Sequence, residues 1–459
     1  MSTDLIFSKL SRLRSRVVPA RWERALNSRA GLLWGYLVIH LAFLAFSLAF
    51  SLRGAALGDT AIYRDWMISG FSSENPTGGP SASVYPILAV VPMALAGVVG
   101  PKLYFTGWVL MVALLNGLAL AKLTRWGRDH HAIRAAWWWL LFLSALGFVG
   151  FSRVDGVTAP VVLVALAFGV SAPFVAAVLL SVGTWIKVWP AAVLLSLFAV
   201  SRNRVRLVAA GIAVTALAVG LAVVMGWLPK LLNFLTLQGD RGMQLEATFS
   251  TPWVWLSVLG VEGSRTYLNV GIGSMQVDGP GTEFMSVLMQ PLLLLAAFTV
   301  AGLIFWALHN GKQRGGADRT ELLLVGSLTL ATAFVVFNKV GSPQFVLWLG
   351  PAVAVGLAYS WKAWRVPAAL VMIIAVATFF VFPVLFNPLS NGHPLAVLVL
   401  TIRNLLLVVL LCWSVRRLYA LGKGVPAHPV LPLPELPHEG SPGREQQEVR
   451  ERPGKTRRK

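Results

Sequence analysis

The sequence predicts an all-α polytopic membrane protein, a bundle of about 12 transmembrane helices with polar loops on one face and an interfacial juxtamembrane helix. Three observations carry that prediction. Hydrophobic residues make up 56% of the 459-residue chain and charged residues 13%, whereas soluble domains hold roughly 45–50% and about 25%. Mean hydropathy is +0.70, and the apolar residues come in long runs. The formal net charge of +20 resides in short basic stretches between those runs, which reads as topology signals and not as a nucleic-acid-binding face. The single cysteine, Cys412, lies inside an apolar run and excludes an intramolecular disulfide framework and any cysteine-based metal cluster.

In chain order, residues 1–30 form a basic N-terminal segment with Lys9, Arg12, Arg14, Arg16, Arg21, Arg24 and Arg29. The first apolar run, Leu32 to Leu52, has no small-residue cleavage site at its end and reads as a retained anchor with a cytoplasmic N-terminus. Further runs at 103–121, 136–150, 157–171, 174–187, 189–200, 207–227, 284–308, 320–337, 345–360, 366–386 and 395–414 bring the spans of the region 31–420 to twelve, with both termini inside. The inner segments of this scheme hold 29 of the 39 Lys and Arg, as the positive-inside rule requires. Asp59, Asp65, Glu74, Asp155, Asp240, Glu246, Glu262, Asp278 and Glu283, nine of the 19 acids, fall outside. The apolar stretch Pro86–Gly100 is bounded by Tyr85-Pro86 and Gly100-Pro101 and is too short to span, so it is expected to lie at the interface. The large outer loops are then 53–102 and 228–283, and in the second YLNVGIGSMQVDGPG is expected to form a hairpin. From 425 to 459 the chain is rich in Pro, Glu, Arg and Lys and is expected to be a disordered cytoplasmic tail.

The residues able to carry chemistry collect in the outer loops. In GDTAIYRDW, Asp59 and Asp65 are six positions apart and would sit on different faces of one helix, so a single cavity receives only one of them. A carboxylate at the membrane edge suits a general base, and the alternative is a solvated acid, with Asp59 capping a helix that starts at Thr60. The cations available outside or within spans are Arg64, Arg153, Lys187, Arg241, Lys339 and Arg403. Arg403 lies well inside the last run, where an unpaired charge costs at least about 2.5 kcal/mol; it either snorkels, pairs with a helix end or meets a ligand. Lys187, between Trp185 and Trp189, also reads as an interfacial anchor. QGDRGMQLEATFS brings Asp240, Gln244 and Glu246 together as hydroxyl-binding groups and Arg241 as a phosphate ligand, or else forms a solvated loop with an internal ion pair. Most of the 18 tryptophans sit at span ends, which leaves Trp253 and Trp255 as candidates for stacking on a sugar. The seven histidines have no ligand spacing, and no metal site is expected.

GDTAIYRDW, VYPILAVVP, FSRVDGVTAPVVLVAL and GTWIKVWPAAVLL, followed by DRGMQLEA at 240–247 and NKVGSPQFVLWLGP at 338–351, together resemble landmarks of the actinobacterial polyprenyl-phosphate-mannose-dependent alpha-mannosyltransferases, which are multispanning enzymes of the GT-C superfold. The resemblance covers roughly residues 30–415 and rests on the order and sidedness of the segments. It implies a GT-C-like integral membrane glycosyltransferase that moves mannose, with inversion, from a polyprenyl-phosphate donor to a cell-envelope glycolipid or lipoglycan on the outer face. Asp59 matches the family's general base. Tyr63, the Tyr85-Pro86 that opens the juxtamembrane helix, Asp155 and Lys187 match further landmarks. Ile87 stands where a second proline is common, and Gln344 follows Ser342-Pro343 where some relatives carry a histidine. The donor-phosphate candidates are Arg64, Lys187, Arg241, Lys339 and Arg403; the acceptor- or sugar-binding candidates are Tyr63, Asp65, Tyr85, Asp155, Asp240, Gln244, Glu246 and Gln344. No cofactor, metal or nucleic acid is expected, the lipid-linked sugar being a co-substrate. The nearest alternative is a transferase using another lipid-linked sugar, arabinofuranose or glucose. A transporter or flippase would instead place paired ionisable residues at midplane in broken helices of related halves, whereas the acids here lie in loops.

Overall fold

The computed structural model describes residues 19–71, 85–236, 242–271, 273–312 and 317–424, and its helices follow the apolar runs because in lipid a backbone must satisfy its own hydrogen bonds. In order they are α1 (Arg29–Leu52), α2 (Thr60–Ile68), α3 (Val90–Ala96), α4 (Tyr104–Leu123), α5 (His130–Leu146), α6 (Val154–Phe168), α7 (Pro173–Ile186), α8 (Pro190–Val200), α9 (Arg204–Val224) and α10 (Thr251–Val258). A hairpin of β1 (Arg265–Asn269) and β2 (Ser274–Asp278) follows, then α11 (Thr282–Lys312), α12 (Arg319–Val336), α13 (Gly350–Tyr359), α14 (Trp361–Phe379) and α15 (Pro394–Gly422). The result is an all-α polytopic membrane protein with almost no sheet.

Each of the twelve expected spans is a helix, but they divide into two kinds. Eight are long and apolar enough to cross a membrane: α1, α4, α5, α9, α11, α12, α14 and α15, with short extensions. The other four, α6, α7, α8 and the helical stretch Pro343–Tyr359 that ends in α13, are only 10–17 residues long. At 1.5 Å per residue such helices reach about 15–25 Å, less than the roughly 30 Å hydrocarbon core. Their shortness has a position. Asp155 opens α6, Lys187 follows α7, Trp189 precedes α8, and Phe345 and Trp348 stand at the head of the last stretch. Contacts link these five side chains, so the four short helices end together at one place.

The other end of the bundle is basic. There Arg417 Nε meets Glu321 at 3.0 Å, Arg319 donates to the Val200 carbonyl and Tyr359 to Asp318. Ser28, Asp129, Asn203 and Asp318 cap α1, α5, α9 and α12 at this end, each side-chain oxygen accepting from a backbone N–H of the first turn. The stretch Ile87–Val99, with α3 at its centre, buries Ile87, Leu88, Met93 and Ala96 against the bundle and exposes Val91, Leu95 and Val98, as expected of an interfacial segment.

The expected hairpin forms with Arg265 opposite Asp278 and Asn269 opposite Ser274. Residues 243–245 lie along its second strand: Leu245 N–H donates to Met275 O and Val277 N–H to Met243 O, both at 3.0 Å. Met243, Leu245, Val254 and Val277 pack with Met289, Val397 and Leu400 into a small core of their own.

Candidate active site

Asp59 stands at the N-terminus of α2, but its carboxylate makes no capping bond. The turn before it explains the direction it takes. Gly58 has φ +60°, a conformation open to glycine, and a Cβ there would lie 3.1 Å from Arg153 Nε. With no Cβ in the way, the Arg153 guanidinium approaches and pairs with Asp59 Oδ1. Asp59 Oδ2 accepts from Tyr85 Oη at 3.2 Å and Tyr63 Oη at 3.3 Å, and the two phenols lie 3.0 Å apart. Two protons serve three contacts, so at most two of these bonds form at once. Burial, reinforced by the Asp59 carboxylate, raises the pKa of both tyrosines well above the usual phenol range, so they remain neutral donors. Tyr63 is fixed against Trp108 at 4.9 Å between ring centres.

Beside this cluster lies a second carboxylate, in the first turn of α6. Asp155 is 1% exposed; its Oδ1 accepts from Trp348 Nε1 at 2.6 Å, and its Oδ2 lies 3.6 Å from Lys187 Nζ. Lys187 Nζ also sits 4.5 Å above the Tyr85 ring, which joins the two clusters. Trp348 stacks on Trp189 and Phe345, so its indole N–H is aimed by packing.

The third wall is the segment 242–247. Gln244 N–H donates to Lys339 O at 2.9 Å, and its Oε1 accepts from Gly341 N–H at 3.0 Å. Gly341 allows this approach, because a Cβ would fall 2.2 Å from Ala247 N. Arg403 of α15 is buried and donates to the Glu246 carbonyl, so it neither snorkels nor reaches a helix end. The Glu246 carboxyl is buried, and burial raises it to about 7 against the opposing pull of Arg403 and Arg153. Arg153, which pairs with Asp59, also pulls the Glu246 carboxyl down, so the third wall lies near the first.

The structure thus brings Asp59, Tyr63, Tyr85, Asp155, Lys187, Gln244, Glu246 and Gln344 to one end of the bundle, with the backbone of Lys339. Arg64 and Asp65 are turned away from Asp59: they contact each other at 3.4 Å, and Arg64 Nη1 donates to Gly54 O. Asp240 and Arg241 lie outside the described residues. Trp253 donates to Pro280 O and Trp255 to Thr401 Oγ1, so both indoles brace the hairpin region. Two residues that complete the site are absent from the sequence-derived lists of ligands: Arg153, named only as an available cation, and Trp348. The sequence signals the approach of Arg153 only through the glycine at 58, directly before Asp59, whose missing Cβ leaves room for the guanidinium. Among the described residues no three His, Cys, Asp or Glu side chains converge as metal ligands do.

One end of the bundle thus gathers a carboxylate with its side chain 24% exposed, two neutral phenols and the largely covered cations Arg153 and Lys187. Residues 84–337, more than half of the chain, match glycosyltransferase family 87, and the chain belongs to that family. It is a multi-pass membrane glycosyltransferase. No curated protein matches it.

Proposed function

We propose that the protein transfers a mannosyl residue from a polyprenyl-phosphate donor to a glycolipid or lipoglycan of the cell envelope, on the outer face of the membrane and with inversion. The observation that carries this reading is Asp59, its side chain 24% exposed, held beside the more deeply buried cations Arg153 and Lys187. The acceptor hydroxyl oxygen attacks the anomeric carbon, and its proton passes to Asp59. The bond from the anomeric carbon to the phosphate oxygen breaks, and its electron pair leaves with the phosphate. The lipid phosphate then carries a second negative charge, and the fixed guanidinium and ammonium groups favour that state over the starting diester. Tyr63 and Tyr85 set the orientation of Asp59. A lipid-borne donor also suits the exposed apolar face of 87–99, which begins two residues after Tyr85.

Membranes containing the protein, supplied with radiolabelled polyprenyl-phosphate mannose and envelope glycolipids, are expected to form mannosylated product. Asp59→Asn is expected to slow the transfer by about 10²–10⁴-fold at equal protein level. Full activity in that variant removes Asp59 as the base. Product from an arabinofuranosyl or glucosyl lipid alone keeps the site and discards mannose.

A further inference from the structure

Most polar groups around the site have partners, but one oxygen of a buried carboxyl does not. Glu246 is 3% exposed; its Oε1 has no hydrogen-bond partner, and its Oε2 has only a 3.5 Å contact from Gln244 Nε2. A buried acceptor without a donor is unfavourable, and more so when it is charged. The main chain that carries it is nevertheless held firmly. Arg403 donates to the Glu246 carbonyl, Asn404 Nδ2 bonds Ala247 O at 3.3 Å and Thr251 Oγ1 at 2.8 Å, and Gly341 packs against the 246–247 peptide. The carboxyl is therefore fixed in place by backbone anchors while its own oxygen is left for something else. Three positions after Gly341, which packs on the 246–247 peptide, Gln344 Oε1 is also buried without a partner. Two unmet acceptors call for a ligand that brings donors and no added charge, and sugar hydroxyls are such donors.

We propose that Glu246 determines donor specificity: its Oε1 accepts a hydrogen bond from a hydroxyl of the transferred sugar, and Gln344 supplies a second acceptor. This rests on the glycosyl transfer proposed above. The charged groups on the elements packed around Glu246 are Arg403 of α15, Arg153 ahead of α6 and Lys339 of the 338–342 loop. With the carboxyl raised to about 7, its carboxylate form, the better acceptor, becomes populated as pH rises through that value. The kcat/KM for donor should rise over the same interval.

The test compares wild type, Glu246→Gln and Glu246→Asp in membranes, with polyprenyl-phosphate mannose and its monodeoxy analogues as donors. Glu246→Gln is expected to lower donor kcat/KM by about 10- to 100-fold, the range of a hydrogen bond to a charged group, with acceptor KM unchanged and the rise near pH 7 lost. One monodeoxy analogue should be used poorly by wild type, and its deficit relative to the parent should be smaller in Glu246→Gln, whose amide oxygen accepts more weakly from the hydroxyl that Glu246 reads. Glu246→Asp retains a carboxylate and the pH dependence, and it carries the comparison if Glu246→Gln accumulates poorly. A Glu246→Gln enzyme with the wild-type donor kcat/KM and pH profile overturns the inference and leaves the reading of Asp59 intact. So do additive losses for every analogue. Failure of the wild type with every lipid-linked sugar overturns both.

Discussion

At the scale of single residues, the site depends on how few protons the Asp59 cluster holds. Because two phenol protons serve three contacts, removing one hydroxyl leaves the other free to donate to Asp59. Tyr85→Phe keeps the ring on which Lys187 rests, so donor KM should stay near wild type. The lost positioning bond should lower kcat by about 2- to 12-fold, the equivalent of roughly 0.5–1.5 kcal/mol. Tyr63→Phe/Tyr85→Phe together should lower kcat by more than the product of the single effects; steady-state kinetics of the four enzymes in membranes checks this, and a multiplicative outcome would mean that the phenols act independently. That Asp59 is a candidate was legible in the sequence from its place in GDTAIYRDW and from the family resemblance, with a solvated or helix-capping acid as the alternative. Its partner was not. Arg153 sits in another loop, and nothing in the spacing of FSRVDG says that its guanidinium turns to Asp59 and not to the Asp155 two residues on. Arg403 shows the reverse difficulty: a charge in an apolar run suggested a ligand contact among other readings, whereas its observed bond is to the peptide of Glu246.

At the scale of elements, two pieces of irregular chain, 242–247 and the late loop 338–342, form the third wall of the site, and glycine decides how closely they meet. The late loop reaches the 244–247 segment only because Gly341 has no side chain, its would-be Cβ lying 2.2 Å from one backbone atom and 2.3 Å from another. Backbone cannot step aside as a flexible side chain does. Gly341→Ala should therefore push the two segments apart, lower transferase activity by at least about tenfold and speed hydrogen exchange at the Gln244 and Leu245 amides, which bond to Lys339 O and Met275 O. Gly302→Ala, within α11 where a Cβ meets nothing within 4 Å, is the matched control and should leave both measurements unchanged. Exchange rates at 244–245 that do not differ between the two variants would refute the role given to Gly341. The hairpin was readable from its glycine-bounded β-formers, as was the interfacial stretch from its prolines. That residues 243–245 would lie along the hairpin was not, because a strand pairing of three residues leaves no period to read.

At the scale of the whole molecule, the number of apolar runs was legible while their lengths carried the information that mattered. Long helices such as α1, α9 and α11 bury little of their surface inside the bundle, α12 buries most of its own, and the four short ones stop where Asp155, Lys187, Trp189 and Trp348 meet. A charged group is tolerated at that depth because the helices end there and their side chains satisfy one another. The opposite end carries Arg125, Arg202, Arg319 and Arg417, and under the positive-inside rule we propose that this end is the cytoplasmic one. This orientation can be measured directly. In a Cys412→Ser background, single cysteines introduced as Asp65→Cys and Glu262→Cys, both at exposed positions on the site side, should react in intact cells with a membrane-impermeant maleimide. Arg125→Cys and Arg202→Cys, exposed at the basic end, should react only after the membrane is opened. The reverse pattern would place Asp59 in the cytoplasm, where an envelope acceptor could not meet it, and labelling of all four from outside would mean that the chain does not hold one orientation.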